Sequence, residues 1–506
     1  MTPTAPAPAT RGPEASTGLL RRCDVPLMPD PRRVAGRLFL PGQELDAAGG
    51  SRAAGVVARC SEMTPAEVAE TMEHVVEHYR LRHRDLDGLL EAHFAAIAHR
   101  VPQAAEVPPE RRRLIGAYFT REVAVESAAL FNPSVVAHPV QDAGAGRLRF
   151  VMSARAVGEG HLSTIVFRSG TFTARQDTAG VRVDPGSTLV ECADRRVPPL
   201  PREQLRRQAT QDGADAETLD VVLADLPDTV DVDELAAAVD VLRRERLTRS
   251  DVETTIAALR RCVRLTYDVT FHSASALSER TLFPECDPES HGMEDARFVR
   301  FVEDDGAPSY LATYTGFDGS QVVSRRLDTA DFRTFRSAPL TGRAAENKGM
   351  ALFTRRIGGR YLALSRWDRE NNAVATSDDG YHWDDAVELQ TPSQTWELIQ
   401  LGNCGPPMET EAGWLVLTHG VGPMRAYALG ALLLDLDDPA RVIGRLAEPL
   451  LEPDASERDG YVPNVVYSCG GLVHDEKLLL PYGCSDTSIR FAVADLPVVL
   501  ERLAGR

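Results

Sequence analysis

The stretch "ESHGMEDARF", residues 289–298, sets His291, Glu294, Asp295 and Arg297 within seven positions, between two segments of β-like texture. Adjacent carboxylates beside a guanidinium can divide acid and base work, or hold one another's charge. If the segment is extended, Glu294 and Asp295 point to opposite faces, so one faces a site and the other holds the strand or an arginine. The same mixture of residue types recurs along the chain. Asn132 and Arg155 precede the stretch, and Lys348, Arg366, Glu409, His419, Arg425, Tyr427, Glu457, Asn464 and Asp486 follow it, most of them near the end of a short apolar segment. Carboxylates among hydrogen-bond donors, with few large apolar side chains, suit a polyhydroxylated ligand such as a sugar. Two carboxyl groups can share the acid and base work of glycosidic cleavage. Each carboxylate taken alone also has a plainer reading as a solvated or arginine-paired group in an acidic chain.

A repeated β unit is what must position these residues. Five segments resemble one another: "LRFVMSAR", "SYLATYTG", "RYLALSRW", "GWLVLTHG" and "KLLLPYGC". Each is followed, after a short loop, by a second strand: "STIVFRSG", "QVVSRRLD", "NAVATSDDG", "LGALLLDL" and "SIRFAVADL". A small blade of strands cannot bury both faces alone and must pack against its neighbours around an axis. The expected fold is therefore mainly β, a five-bladed β-propeller whose shared polar endings line one mouth of the central channel. A β-sandwich does not predict that special residues recur at one strand position. Helices come elsewhere. "MTPAEVAETMEHVVEHY" offers Thr64 as N-cap, Pro65 at the first helical position and Glu67 closing a capping box, and "DLDGLLEAHFAAIAHR" follows as a second helix. A long interruption after the first repeat carries another capping box at Ser250 and Glu253. The expected organisation is a disordered leader at 1–23, an N-terminal helical module at 24–120, and a propeller at 121–506 with a helical insertion at about 200–264.

Composition narrows the ligand. The 506 residues are 43% hydrophobic and 26% charged, ordinary for a globular chain, with a formal net charge of -18. Such acidity argues against a nucleic-acid backbone or an anionic membrane as partner, since either needs a basic surface. Lys348 and Lys477 are the only lysines, which singles out Lys348 beside the polar endings. The eight cysteines, Cys23, Cys60, Cys192, Cys262, Cys286, Cys404, Cys469 and Cys484, show no zinc-binding spacing and read as free thiols of a reducing compartment. The N-terminal residues lack the apolar core of a signal peptide, so a cytoplasmic location is expected. His74 and His78 share a helix face at the spacing of metal ligands, but no Glu completes a HExxH motif, and they read as solvated or packed. No metal or organic cofactor is implied.

Beyond these residue types, "GMEDARF" resembles the GxEDPR signature of glycoside hydrolase family 130. Further resemblances run in family order over roughly residues 130 to 495: "NPSVV", "SARAVGEGHLS", "NKGMALF", "GPPMETEAGWLVLTHGV", "ALLLDLDDP", "GYVPNVVY" and "YGCSDTSIRFA". The N-terminal helices and the insertion fall outside them. The resemblance implies a five-bladed propeller that acts on β-mannosides as a phosphorylase or a hydrolase, without a cofactor. It implies Asp295 as general acid, acting through a hydroxyl of the mannosyl ring, with Asn132, Arg155 and Asp486 holding the mannose at the cleaved end. Ala296 stands where the family usually has proline.

Phosphorolysis needs cations, because a phosphate dianion is costly to desolvate unless paired. Candidates are Lys348, Arg366, His419 and Arg425. Where phosphorylases of the family commonly carry a phosphate-contacting lysine, in an I-K-T segment, this chain reads "MET", which puts Glu409 in that place. A carboxylate there repels phosphate and can activate water. The expected activity is therefore an inverting hydrolase of β-mannosides, with β-1,2-linked manno-oligosaccharides as substrate by family analogy and with Glu409 or Glu457 as base. In such an enzyme the two carboxyl groups stand about 6.5–9.5 Å apart. A β-mannoside phosphorylase using inorganic phosphate is the alternative, and a carbohydrate-binding propeller without catalysis is the alternative of another class. Arg297, Tyr427 and Asn464 complete the expected sugar-binding set. The helical additions are expected either to cover the mouth or to form the interface of a homo-oligomer.

Overall fold

The structure is a computed structural model, and it describes residues 18–42, 51–142, 144, 146–174, 179–246 and 250–505. The repeated segment pairs of the sequence are antiparallel hairpins. Arg147–Val157 pairs with Ser163–Thr173, Pro308–Phe317 with Val322–Thr329, Tyr361–Ser365 with Asn372–Ser377, Gly413–Val421 with Tyr427–Leu434, and Lys477–Cys484 with Ser488–Asp495. A leading strand flanks each hairpin on one side: Ala129–Ala137, Gly292–Val302, Ala351–Leu352, Gln400–Asn403 and Val466–Tyr467. A trailing strand flanks it on the other: Gly180–Val183, Thr334–Pro339, Asp385–Gln390, Val442–Arg445 and, for the last hairpin, Leu20–Leu27. The protein is mainly β, and the first two of these five runs are joined into one eleven-stranded sheet by a single parallel pair, Gly292 with Ser163.

Middle strands are apolar almost throughout because each run is covered on both faces. Gly413–Val421 and Lys477–Cys484 are buried at every position. Phe150 and Leu130 of the first run pack with Leu479 and Phe491 of the fifth, and Phe167 packs with Phe298 of the second. Phe301 of the second run meets Leu352 and Ala363 of the third, Leu364 of the third meets Trp414 and Leu432 of the fourth, and Leu417 of the fourth meets Leu478 and Leu480 of the fifth. Fully burying a side chain of this size contributes about 1.5–3 kcal/mol, so these contacts between runs are the main stabilisation of the β portion.

The helices lie where the sequence puts them, with shifted boundaries. Arg52–Glu62, Pro65–Tyr79, Leu86–Ile97 and Pro109–Tyr118 form the N-terminal group. The Thr64 capping box is formed, with Thr64 Oγ1 accepting from Glu67 N and Glu67 Oε2 accepting from Thr64 N. Within the span expected as a helical module, two segments are strand: Leu20–Leu27 is the last trailing strand, and Val34–Leu38 pairs with Thr120–Ala124. Of the expected leader, residues 1–17 lie outside the described residues, and the strand begins at Leu20, within the stretch expected to be disordered. The insertion holds Arg202–Gln211, Ala216–Leu223, Val232–Arg246 and Ser250–Leu265 around its own core of Leu205, Leu219, Leu223, Ile256 and Leu259. Its flanking strands, Asp194–Arg196 and Tyr267–Thr270, pair with each other, and the second of them adds to the trailing strand of the second run, so the insertion is anchored at that edge. The Ser250 side chain of the expected capping box lies outside the described residues. Among the described residues no helix is long and apolar enough to cross a membrane.

Candidate active site

Two broken strands bring the first polar groups together. The leading strand of the second run shifts register between Glu294 and Arg297, and that of the first run shifts between Phe131 and Ser134. Asp295 and Asn132 sit in these bulges with φ of 54° and 49°, in the left-handed region that side chains rarely adopt. Asn132 Nδ2 then donates to Asp295 Oδ1 at 2.7 Å. Arg425 and Asp486, from loops after other strands, have φ of 57° and 48°. Such residues cost about 1–3 kcal/mol each and gather where surrounding structure holds a functional geometry.

Around Asp295 opens a cavity of about 170 Å³ lined by Asn132, Arg155, Lys348, Arg366, Gln400, His419, Arg425, Tyr427, Val462, Val465, Tyr467 and Asp486. Adjoining it, a recess of about 20 Å³ is lined by Asp295, Arg297, Lys348, Gly349, Arg366, Asn403, His419 and Tyr467. Glu294 lines neither. Its carboxylate accepts from Arg155 Nη2 at 2.7 Å and lies 3.8 Å from Lys348 Nζ, so it holds two cations whose side chains face the cavity. The bulge is what lets both neighbours serve one site: Asp295 enters it and Glu294 braces it. His291 is exposed, beside Phe317.

Charge sets the state of each group. Burial pushes the Asp295 carboxyl up, but the Arg155, Lys348 and Arg297 charges and the Asn132 hydrogen bond outweigh it and hold it below the usual carboxylate range. Burial pushes Asp486 up to about 6, with the Asp295 charge adding to the effect. Burial, with Arg366 and Arg297 nearby, drives His419 well below its ordinary value, so the ring is neutral and its Nε2 accepts from Arg366 Nη1 at 3.3 Å. Gly402 permits this approach: a Cβ there would lie 2.5 Å from His419 Cε1. Three buried polar atoms at the site, Asn132 Oδ1, Arg297 Nε and Arg366 Nε, find no partner among the described residues. Unsatisfied groups concentrated in one cavity are what a polar ligand would complete.

Three expected site residues lie elsewhere. Glu409 is exposed, with its carboxylate held by Arg355 at 2.9 and 3.0 Å, and it lines neither the cavity nor the recess. Glu457 is fully buried outside both, accepting from Arg22 Nη2 at 3.0 Å and Tyr482 Oη at 2.7 Å. A base must reach the cavity, and these two carboxylates are instead engaged by arginines from other sheets or strands. Asn464 bears on the site through its backbone, its carbonyl accepting from Tyr427 N at 3.0 Å. Conversely, Gln400, Asn403 and Tyr467 line the site although the sequence did not single them out; "NVVY" ends on Tyr467, and its place at a strand end was the available signal. His74 and His78, with Glu77, form an exposed group of ligand atoms lying within 4.8 Å of one another, the one such metal-compatible group among the described residues.

Part of this sequence resembles known proteins. The profile of glycoside hydrolase family 130, described as beta-1,4-mannooligosaccharide phosphorylase, matches residues 266–504. A 1,2-beta-oligomannan phosphorylase of a Thermoanaerobacter strain is 36% identical over 229 residues, 44% of this chain and 74% of that protein. A beta-1,2-mannobiose phosphorylase of the same strain is 36% identical over 218 residues, 42% of this chain and 70% of that one. The solved structure of a beta-1,2-mannobiose phosphorylase from Listeria innocua aligns with a TM-score of 0.44 and 21% identity, over 76% of this chain and 94% of that one. Identity of this depth, spread over most of two relatives, establishes common descent, and the chain belongs to glycoside hydrolase family 130, whose profile match includes Asp295.

Proposed function

We propose that the protein is a β-mannoside phosphorylase, which cleaves β-1,2-linked manno-oligosaccharides with inorganic phosphate and releases mannose 1-phosphate. The observation that carries this reading is the recess beside Asp295, where Arg297, Lys348 and Arg366 converge while neither Glu409 nor Glu457 reaches the cavity. A phosphate dianion needs such cations to leave water, whereas a hydrolase needs a carboxylate base in the same place. The names of the relatives support phosphorolysis and the β-1,2 linkage.

In this reading Asn132, Arg155 and Asp486 hold the mannosyl ring, and Asp295 protonates the departing oxygen through a ring hydroxyl. The resting site keeps Asp295 ionised. A phosphate dianion drawing on the same Lys348 and arginine charges pushes the Asp295 carboxyl upward, which favours the protonated form that the acid role needs. The five runs are read as blades of a five-bladed propeller. The succession of shared cores, first with second through to fifth with first, supports a closed ring, and the cavity residues come from the ends of strands in all five runs. Residues 121–506 then form the catalytic domain, interrupted by the insertion. Unpaired cysteines support a reducing, cytoplasmic setting.

The test is incubation of the purified protein with β-1,2-mannobiose, with and without inorganic phosphate. Mannose 1-phosphate formed only with phosphate is the expected result. Free mannose formed equally in both would restore the hydrolase, and binding without any product would favour a carbohydrate-binding propeller.

A further inference from the structure

Tyr467 ends the short leading strand of the fifth run and borders both the cavity and its recess. Its ring is held from two sides, edge-on to His419 at 4.9 Å between centroids and to Tyr427 at 6.4 Å. Arg297 Nη2 donates to its phenolic oxygen at 2.8 Å, and Nη1 of the same guanidinium donates to the Asp295 carbonyl at 3.1 Å. A phenol that accepts from a cation still has its own O–H to give, and among the described residues nothing takes it. Burial raises this phenol well above its ordinary value, so it stays a neutral donor.

The other groups of the recess leave a role for that donor. Asn403 Nδ2 is engaged by the Gly349 carbonyl at 2.6 Å, and His419 Nε2 accepts from Arg366. Lys348 and Arg366 supply charge, but an anion with several oxygens also needs a directed donor beside Asp295. A water nucleophile has the opposite need, since its proton must be accepted by a base. A neutral hydroxyl fixed by Arg297 with its hydrogen unused suits an oxyanion and does nothing to activate water.

We propose that Tyr467 is a further catalytic residue, whose hydroxyl donates a hydrogen bond to the phosphate seated between Lys348, Arg366 and Arg297 and so favours phosphate over water as the nucleophile. The inference rests on the phosphorylase reading. It is tested with the Tyr467→Phe variant of the full-length protein, which keeps the ring contacts and removes the hydroxyl. In the cleavage of β-1,2-mannobiose, KM for inorganic phosphate is expected to rise about tenfold or more, as for a lost hydrogen bond to a charged group, with KM for the disaccharide within about twofold. Thermal unfolding without phosphate should stay close to that of the unmodified protein, while the upward shift that phosphate gives the unmodified protein should shrink in the variant. An unchanged KM for phosphate would overturn the role of Tyr467 and leave the phosphorylase reading intact. A rise confined to the disaccharide would reassign the hydroxyl to the sugar, and a fall in unfolding temperature with both constants altered together would reduce it to a prop for Arg297. If the unmodified protein makes mannose but no mannose 1-phosphate, both readings fall.

Discussion

Asp295 and Asp486 line one cavity, and their surroundings pull them in opposite directions: three cations and an amide keep Asp295 ionised, while burial beside that charge leaves Asp486 at about 6. Divergent carboxyl groups in one cavity are a usual arrangement for dividing roles. An unperturbed Asp titrates at 3.8, so between 3.8 and about 6 the folded protein keeps a proton on Asp486 that the unfolded chain has lost. The stability contributed by that proton is fully present below 3.8 and is lost as pH rises through about 6. In the proposed reading ionised Asp486 accepts from sugar hydroxyls, so kcat/KM for the mannoside is expected to rise between about pH 5 and about pH 7, and Asp486→Asn should lack that limb. A midpoint that persists in the variant would assign the limb to another group. Asp295→Asn should lower cleavage by roughly 10²–10⁴-fold without unfolding the protein, whereas Glu409→Gln should leave turnover intact and change stability by about 0–1 kcal/mol, as for an exposed ion pair. Loss of turnover in the Glu409 variant would return the base role to it. Asp295 was legible because "GMEDARF" is specific; Glu409 was not, because adjacency to a strand end does not say which way a side chain leaves it.

At the scale of elements, the hairpins were legible and their partners were not. Apolar stretches that end in polar residues recur in "LRFVMSAR", "GWLVLTHG" and "KLLLPYGC", and local pattern suffices to find them. Pairing of Leu20–Leu27 with Ser488–Asp495 links residues more than 450 positions apart and leaves no local trace. Glu457 belongs to this closure: it takes Arg22 of the N-terminal strand and Tyr482 of the fifth hairpin into one buried network. Removing the charge from a buried, fully engaged carboxylate takes from Arg22 its buried partner and leaves it Asp454 and the Glu452 carbonyl. Glu457→Gln is expected to destabilise the protein by about 1–3 kcal/mol in a denaturant titration, with KM for sugar and phosphate unchanged. Normal stability with lost turnover would make Glu457 a functional carboxylate after all.

For the whole molecule, the first and last parts of the chain meet in one sheet, so the N-terminal strand bears on a cavity it does not line. Removal of residues 1–27 uncovers the edge of Ser488–Asp495 and takes Leu20 from the core shared by the fourth and fifth runs. An exposed edge of this length invites pairing with other chains. The truncated protein is expected to unfold several degrees lower, or to aggregate, and to lose activity on the mannoside in step with folding. A truncation that keeps the full unfolding temperature would show that the sheets hold together without the strand.

The sequence by itself determined the mainly β character, the recurring hairpins, the capped N-terminal helix and the acidic charge, because each depends on residues close together in the chain or on composition alone. It also singled out Asp295. Only the tertiary structure decided which polar residues share the cavity. Asn132 and Asp295 meet through left-handed bulges that packing imposes, Glu409 and Glu457 are claimed by Arg355 and Arg22 from distant parts of the chain, and Tyr467 is aimed by Arg297. Side-chain direction at a broken strand, and the partner a charge finds across a sheet boundary, depend on long-range packing, and here they decide which charged groups face the cavity.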